Sequence, residues 1–157
     1  MLKGRRFINL DSEAEGSLWI SCAGGMSGIS HIPVARVDAK GEKIAVKITG
    51  LMGGHSGAEI DKNRANANKL LGTFLYSLRK TTDYELISVQ GGQKDNAITR
   101  EAEAKLLIDA KELENVKAFA AELQKAWREE YTRTDEGITV LLTDEGAQEA
   151  RVLHPTS

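Results

Sequence analysis

The sequence is poor in most features that mark a specialised class of protein. Cys22 is the only cysteine, so no internal disulfide can form. Just two prolines argue against a linker-rich or disordered chain. Basic and acidic residues, 21 against 23, are mixed along the chain and leave a formal net charge of −2. That balance offers no electrostatic footprint for nucleic acid or for an anionic membrane surface. Apolar runs long enough to span a bilayer are missing, and so is a signal-peptide pattern, which sets the cytoplasm as the expected compartment. What remains is ordinary globular composition, 41% hydrophobic and 28% charged, in 157 residues, enough for one domain with a proper core.

Two segments carry a helical period. Ala67, Leu70, Leu71, Phe74, Leu75 and Leu78 form one apolar stripe, which predicts a helix from about Asn63 to Arg79, with Asp61 as the best capping candidate. Leu113, Val116, Phe119, Ala120, Leu123, Trp127 and Tyr131 make a second stripe, opposite a solvated face of Glu112, Lys117, Glu122, Lys125 and Glu129. Strands are expected where Ile44, Val46 and Ile48 alternate with polar neighbours, at Tyr84 to Val89, at Ala102 to Ile108 and at Ile138 to Leu142. The order strand, helix, strand, strand, helix, strand predicts an α+β fold of the ferredoxin-like kind: a four-stranded antiparallel sheet with two helices on one face. Arg6 to Leu10, Ser17 to Cys22 and Ile29 to Val37 read as extra N-terminal strands. The expected division is 1–40 for these strands, 41–145 for the ferredoxin-like domain and 146–157 for a frayed end.

The most unusual run is Gly50-Leu51-Met52-Gly53-Gly54-His55-Ser56-Gly57, between a strand and a helix. Glycines around one histidine permit positive φ and leave little bulk to block the imidazole, so His55 is placed to be presented. The plainer reading is a tight turn with an exposed histidine. Glycine-rich loops also cradle phosphate, but the Lys-Ser/Thr ending of a P-loop and the spacing of a dinucleotide fingerprint are both missing. His31, in an apolar alternation, reads as a strand position, and Cys22, with no neighbouring base, as structural. Trp127 and Phe119 read as core.

Gly50 to Ile60 followed by Asn66-Ala67-Asn68-Lys69-Leu70-Leu71 closely resembles the lid-domain signature of the aminoacyl-histidine (Xaa-His, carnosinase-like) dipeptidases, a family of co-catalytic zinc peptidases. Further matches keep the same order: Ile8 to Glu13 with Glu15-Gly16, Cys22-Ala23-Gly24-Gly25, and Gly91-Gly92 followed by Asn96 to Ala102, in which Thr99 stands where the family usually has proline. The resemblance covers about residues 6 to 130. It implies that Asp11 corresponds to an aspartate that binds one of two zinc ions. It implies that His55 corresponds to the lid histidine that, in dimeric relatives, reaches into the partner's active site and hydrogen-bonds the scissile carbonyl oxygen as it becomes an oxyanion. Asn96 would help to hold substrate and Arg100 would pair with a substrate carboxylate, although an arginine at a strand start is also an ordinary solvated residue.

The family's remaining metal ligands and general base lie on a His-x-Asp run, an Asp, a Glu-Glu pair and a distant His, all outside the matched stretch. Here His31, His55 and His154 form no His-x-Asp run, and Glu129-Glu130 closes an amphipathic helix. The expectation is therefore a lid and dimerisation segment of a zinc-dependent dipeptidase, inactive by itself and binding no zinc alone, whose parent is a homodimer acting on Xaa-His dipeptides. The alternative is a stand-alone ferredoxin-like module that binds or senses a small molecule.

Overall fold

The computed structural model describes residues 3–6, 8, 15–18, 20 and 24–154. The chain divides into two units, 1–32 and 33–157. Within the first, no described residue lies in a strand or helix. Leu18, Ile20, Ile29 and Ile32 are at least 78% exposed there, so among the described residues the apolar alternation that reads as strand is not buried. Parts of the Arg6–Leu10 and Ser17–Cys22 stretches, Cys22 included, fall outside the described residues. His31 is exposed and in no strand.

The second unit holds the sheet: β1 (Arg36–Thr49), β3 (Tyr84–Gly91), β5 (Ala102–Ile108) and β6 (Thr139–Leu153), in the order β3-β5-β1-β6 and antiparallel throughout. A separate ribbon pairs β2 (Gly54–His55) with β4 (Ala97–Ile98); these are the extra strands of the described fold. The helices are α1 (Ala67–Leu78) and α2 (Leu113–Glu130). The strand order and the alternation of helices and strands are those of the ferredoxin-like arrangement expected from the sequence.

Alternation along the strands sends Ile44, Val46, Ile48, Ala104 and Leu106 to the helical face, where they pack with Leu71, Phe74, Leu78, Val116 and Trp127 in one core. The rings of Phe74 and Phe119 meet with centroids 5.3 Å apart. Helix α1 starts later than the periodicity suggests. A one-turn 3-10 helix at Ile60–Lys62 ends on Asn63 in the left-handed region, and Asn66, not Asp61, caps α1 by accepting from the backbone N–H of Asn68 and Lys69. Local turn geometry fixes that start, and the apolar stripe carries no record of it.

β1 and β6 are longer than expected. They continue past the last β1–β5 pair, Glu42 with Ile108, as a two-stranded ribbon that reaches the Arg36–Leu153 pair. The boundary expected at residue 40 thus falls inside β1, and residues 146–153, expected to fray, are paired strand. The Arg36 guanidinium donates to the carbonyl of Ile87, at a bulge in β3, over 2.8 Å. Ile87 lies level with Ile44 and Ala45, about 27 Å from Arg36 along a straight strand, so the ribbon must bend back over the sheet. Its return accounts for a second buried layer on the face away from the helices, where Ala45 is 9% and Leu107 2% exposed and Val152 is fully buried. The bend occurs near Gly41, whose close approach to the Ile108 carbonyl leaves no room for a Cβ, and near the β6 bulge at Gly146, where φ is +80°.

Candidate functional site

The glycine-rich run after β1 is held from several sides. At its start, Gly50 (φ +81°) passes so close to Gly137 that a Cβ would sit 2.0 Å from the Gly137 carbonyl oxygen. Asp135, 2% exposed, then accepts from Met52 N–H through one carboxylate oxygen and from Ala65 N–H through the other, each at 2.8 Å. A buried carboxylate receiving two backbone hydrogen bonds is a strong local tie. It fixes both the start of the loop and the approach to α1. Arg100 lays its side chain against Gly53, where a Cβ would collide with its Cγ, and its Nε donates to the Leu51 carbonyl over 3.4 Å.

Beyond Gly53 the chain enters the β2–β4 ribbon, which pairs His55 with Ala97, and Ser56 N–H donates to the Asn96 carbonyl at 3.0 Å. The fold therefore brings His55 and Asn96 together at one end of the ribbon, with Arg100 a few residues further along the same strand and loop. Both His55 and Asn96 are exposed. The ribbon is tied to α1 by Thr99: its carbonyl accepts from Ala67 N–H at 2.9 Å and its hydroxyl from the Asn68 amide at 3.3 Å. The second of these bonds would be lost with a proline there. Asp11 lies outside the described residues.

The imidazole of His55 is oriented by its own loop. Gly57 N–H and Ala58 N–H both donate to Nδ1, at 3.1 and 3.0 Å. A nitrogen that accepts carries no proton, which assigns the hydrogen of the neutral ring to Nε2. His55 thus has one nitrogen tied to the backbone and the other left as an N–H donor.

Glu59 closes the turn. Its carboxylate accepts from His55 N–H at 2.9 Å, from Lys62 at 2.8 Å and from Arg64 at 3.0 Å, and Arg64 also donates to the Gly53 carbonyl. The Lys62 ammonium, the His55 N–H and the Arg64 charge together hold its pKa at about 2. A depressed carboxylate stabilises the fold fully above the usual carboxylate range, and that contribution is lost as pH falls through about 2. Gly54, at φ +144°, is required where these groups converge, because a Cβ there would stand 2.3 Å from the Arg64 guanidinium and 2.5 Å from the Glu59 carboxylate.

Glu59, Arg64 and Asp135 hold this loop without standing out in the sequence. Glu59 lies inside the matched run, four positions after the histidine, but carries no expected role there. Beside the loop, Arg100 and Arg133 both line an open cleft of about 510 Å³ that also takes in Leu51, Met52 and Thr134. Among the described residues, no three His, Cys, Asp or Glu side chains converge to hold a metal ion. The described residues by themselves thus do not fit a zinc centre. No described helix is long and apolar enough to cross a membrane.

The chain as a whole has counterparts among known proteins. The family described as the peptidase dimerisation domain matches residues 46–135, and the chain belongs to that family. Over 137 residues the chain is 37% identical to the cytosol non-specific dipeptidase of Escherichia coli (strain K12), a match covering 86% of this chain and 28% of that protein. The crystal structure of an aminoacylhistidine dipeptidase from Vibrio alginolyticus superposes with a TM-score of 0.69 at 27% identity, over 80% of this chain and 24% of that one. An amidase of the hydantoinase/carbamoylase family from Burkholderia phymatum shares the fold alone, at a TM-score of 0.51 and 14% identity over 73% of this chain and 30% of that one. The chain thus spans less than a third of the length of these relatives.

Proposed function

We propose that this chain is the lid and dimerisation part of a cytoplasmic, homodimeric dipeptidase that hydrolyses Xaa-His-type dipeptides, and that it delivers His55 to the scissile bond. The observation that carries this reading is the state of the imidazole: Nδ1 is saturated by two backbone N–H groups, leaving Nε2–H on an exposed ring as a preset donor. A donor fixed before the reaction suits a carbonyl oxygen that gains negative charge as the tetrahedral intermediate forms, because no reorganisation is needed at that moment. Asn96, beside it on the ribbon, supplies an amide that can donate to a substrate carbonyl or carboxylate. Arg100 lines the adjacent cleft, and in this reading its guanidinium pairs with a substrate carboxylate. Similarity to two dipeptidases supports the reaction class.

Zinc in this reading belongs to the rest of the protein, with Asp11 contributing one ligand there. Calorimetric titration of the purified chain with zinc, with Asp11→Ala and His55→Ala as controls, tests that division. No binding tighter than millimolar is the expected result. Tight stoichiometric zinc, lost in either variant, would mean that the chain builds its own centre and is not a lid. Activity is accessible through a chimera in which this chain replaces the matched stretch of the Escherichia coli dipeptidase.

A further inference from the structure

We propose that Glu59 is a positioning residue for His55: its carboxylate, braced by Arg64, holds the turn at 55–58 in which the imidazole accepts through Nδ1 and donates through Nε2. The functional meaning of this brace rests on the reading of His55 as a donor to the reacting carbonyl, but the brace itself is a property of the chain.

The geometry is that of a closed loop of hydrogen bonds. Glu59 N–H donates to the His55 carbonyl at 3.1 Å, while the Glu59 carboxylate accepts from His55 N–H at 2.9 Å, so both backbone groups of His55 are engaged by one residue. This double tie keeps the intervening residues in a tight turn that aims Gly57 N–H and Ala58 N–H at Nδ1. Glu59 is fixed in its turn by Arg64, itself bonded to the carbonyl of Gly53 on the near side of the ribbon. The brace therefore spans the histidine from Gly53 to Arg64, and Gly54 provides the space in which it closes. Without the Glu59 carboxylate the N–H of His55 turns to solvent, and the turn keeps only its backbone ties, residue 59 N–H to the His55 carbonyl and Ile60 N–H to the Gly57 carbonyl, which leave the His55 side of the turn loose. Nδ1 would then exchange its two backbone donors for water, and either ring nitrogen could carry the proton.

The test is nitrogen-15 NMR of the full chain at neutral pH, reading the His55 ring nitrogens together with the exchange of the Gly57 and Ala58 amides. The natural chain should show one Nε2–H tautomer and protected amides at 57 and 58. In Glu59→Ala, those two amides should exchange about tenfold faster, the consequence of losing roughly one hydrogen bond's net stabilisation, and the ring should become a mixture of tautomers, while the amides of β1 and β5 keep their protection. Glu59→Gln, which keeps an acceptor for His55 N–H but loses the charge, should recover part of the change. Gly54→Ala keeps the glutamate at 59 but crowds its carboxylate and the Arg64 guanidinium, and it should reproduce the loss. An unchanged tautomer and unchanged exchange in Glu59→Ala and Gly54→Ala, with the sheet intact, would overturn the proposal. In the chimera the two ideas separate. Turnover lost in His55→Ala but kept in Glu59→Ala would remove Glu59 from its role and leave His55 in place, whereas turnover kept in both would remove His55 itself.

Discussion

Replacing His55 with alanine in the chimera is expected to lower turnover about 100- to 1,000-fold, roughly 2.7–4 kcal/mol of transition-state stabilisation, while leaving zinc content unchanged. The size follows from the kind of interaction. A preset N–H donor contributes little to a neutral carbonyl in the bound substrate and much to the oxyanion that replaces it, so its loss falls on kcat more than on KM. Steady-state kinetics on a series of dipeptides, with metal analysis of the same preparations, would separate this from a structural effect. Unchanged turnover would remove His55 from the mechanism. A fall in zinc content would place the imidazole among the metal ligands, which its ties to Gly57 and Ala58 argue against.

The second large effect concerns Asp135. In Asp135→Ala, Met52 N–H and Ala65 N–H lose a charged acceptor, and the Ala65 donor is left in a fully buried position. Each hydrogen bond to a charged group contributes about 1.5–3 kcal/mol, so a loss of at least about 3 kcal/mol is expected. For a domain of this size that corresponds to a fall of about 1–2 M in the urea midpoint. Asp135→Asn keeps one acceptor and should lose about half as much. A midpoint unchanged in the alanine variant would show that water satisfies both donors and that the carboxylate is not what ties the loop to α1. The expected loss would also free the segment from Met52 to Ala65 that carries His55, so thermodynamic and functional effects should travel together at this position.

The parts of this structure that were legible in the sequence are those with a local, repeating signal. Ile44, Val46 and Ile48 alternate because one face of β1 is buried under the helices, and the stripes on α1 and α2 exist for the same reason. Asp38 to Glu42 and Thr143 to Leu153 were opaque. These polar stretches contain Gly41 and Gly146, the second inside the expected frayed end, and they are strands because they pair with each other across more than a hundred residues. Nothing local announces such a pairing. The site divides in the same way. His55 stands out through its glycines, and the resemblance to known dipeptidases supplies Asn96 and Arg100. Asp135 sits in Thr-Asp-Glu-Gly, ordinary turn chemistry, and only closure of the fold turns it into a buried acceptor for residues 70 and 83 positions away. Glu59 and Arg64 are likewise surface charges on paper, given their role by the sharp path of Gly53 and Gly54.

The central claim, that this chain closes and assists an active site built elsewhere in the protein, is tested most directly by assaying Xaa-His dipeptide hydrolysis by the isolated chain and by the chimera side by side. The account predicts no hydrolysis by the chain alone and chelator-sensitive hydrolysis by the chimera. Chelator-sensitive hydrolysis by the isolated chain, or a folded and zinc-loaded chimera without activity, would contradict it.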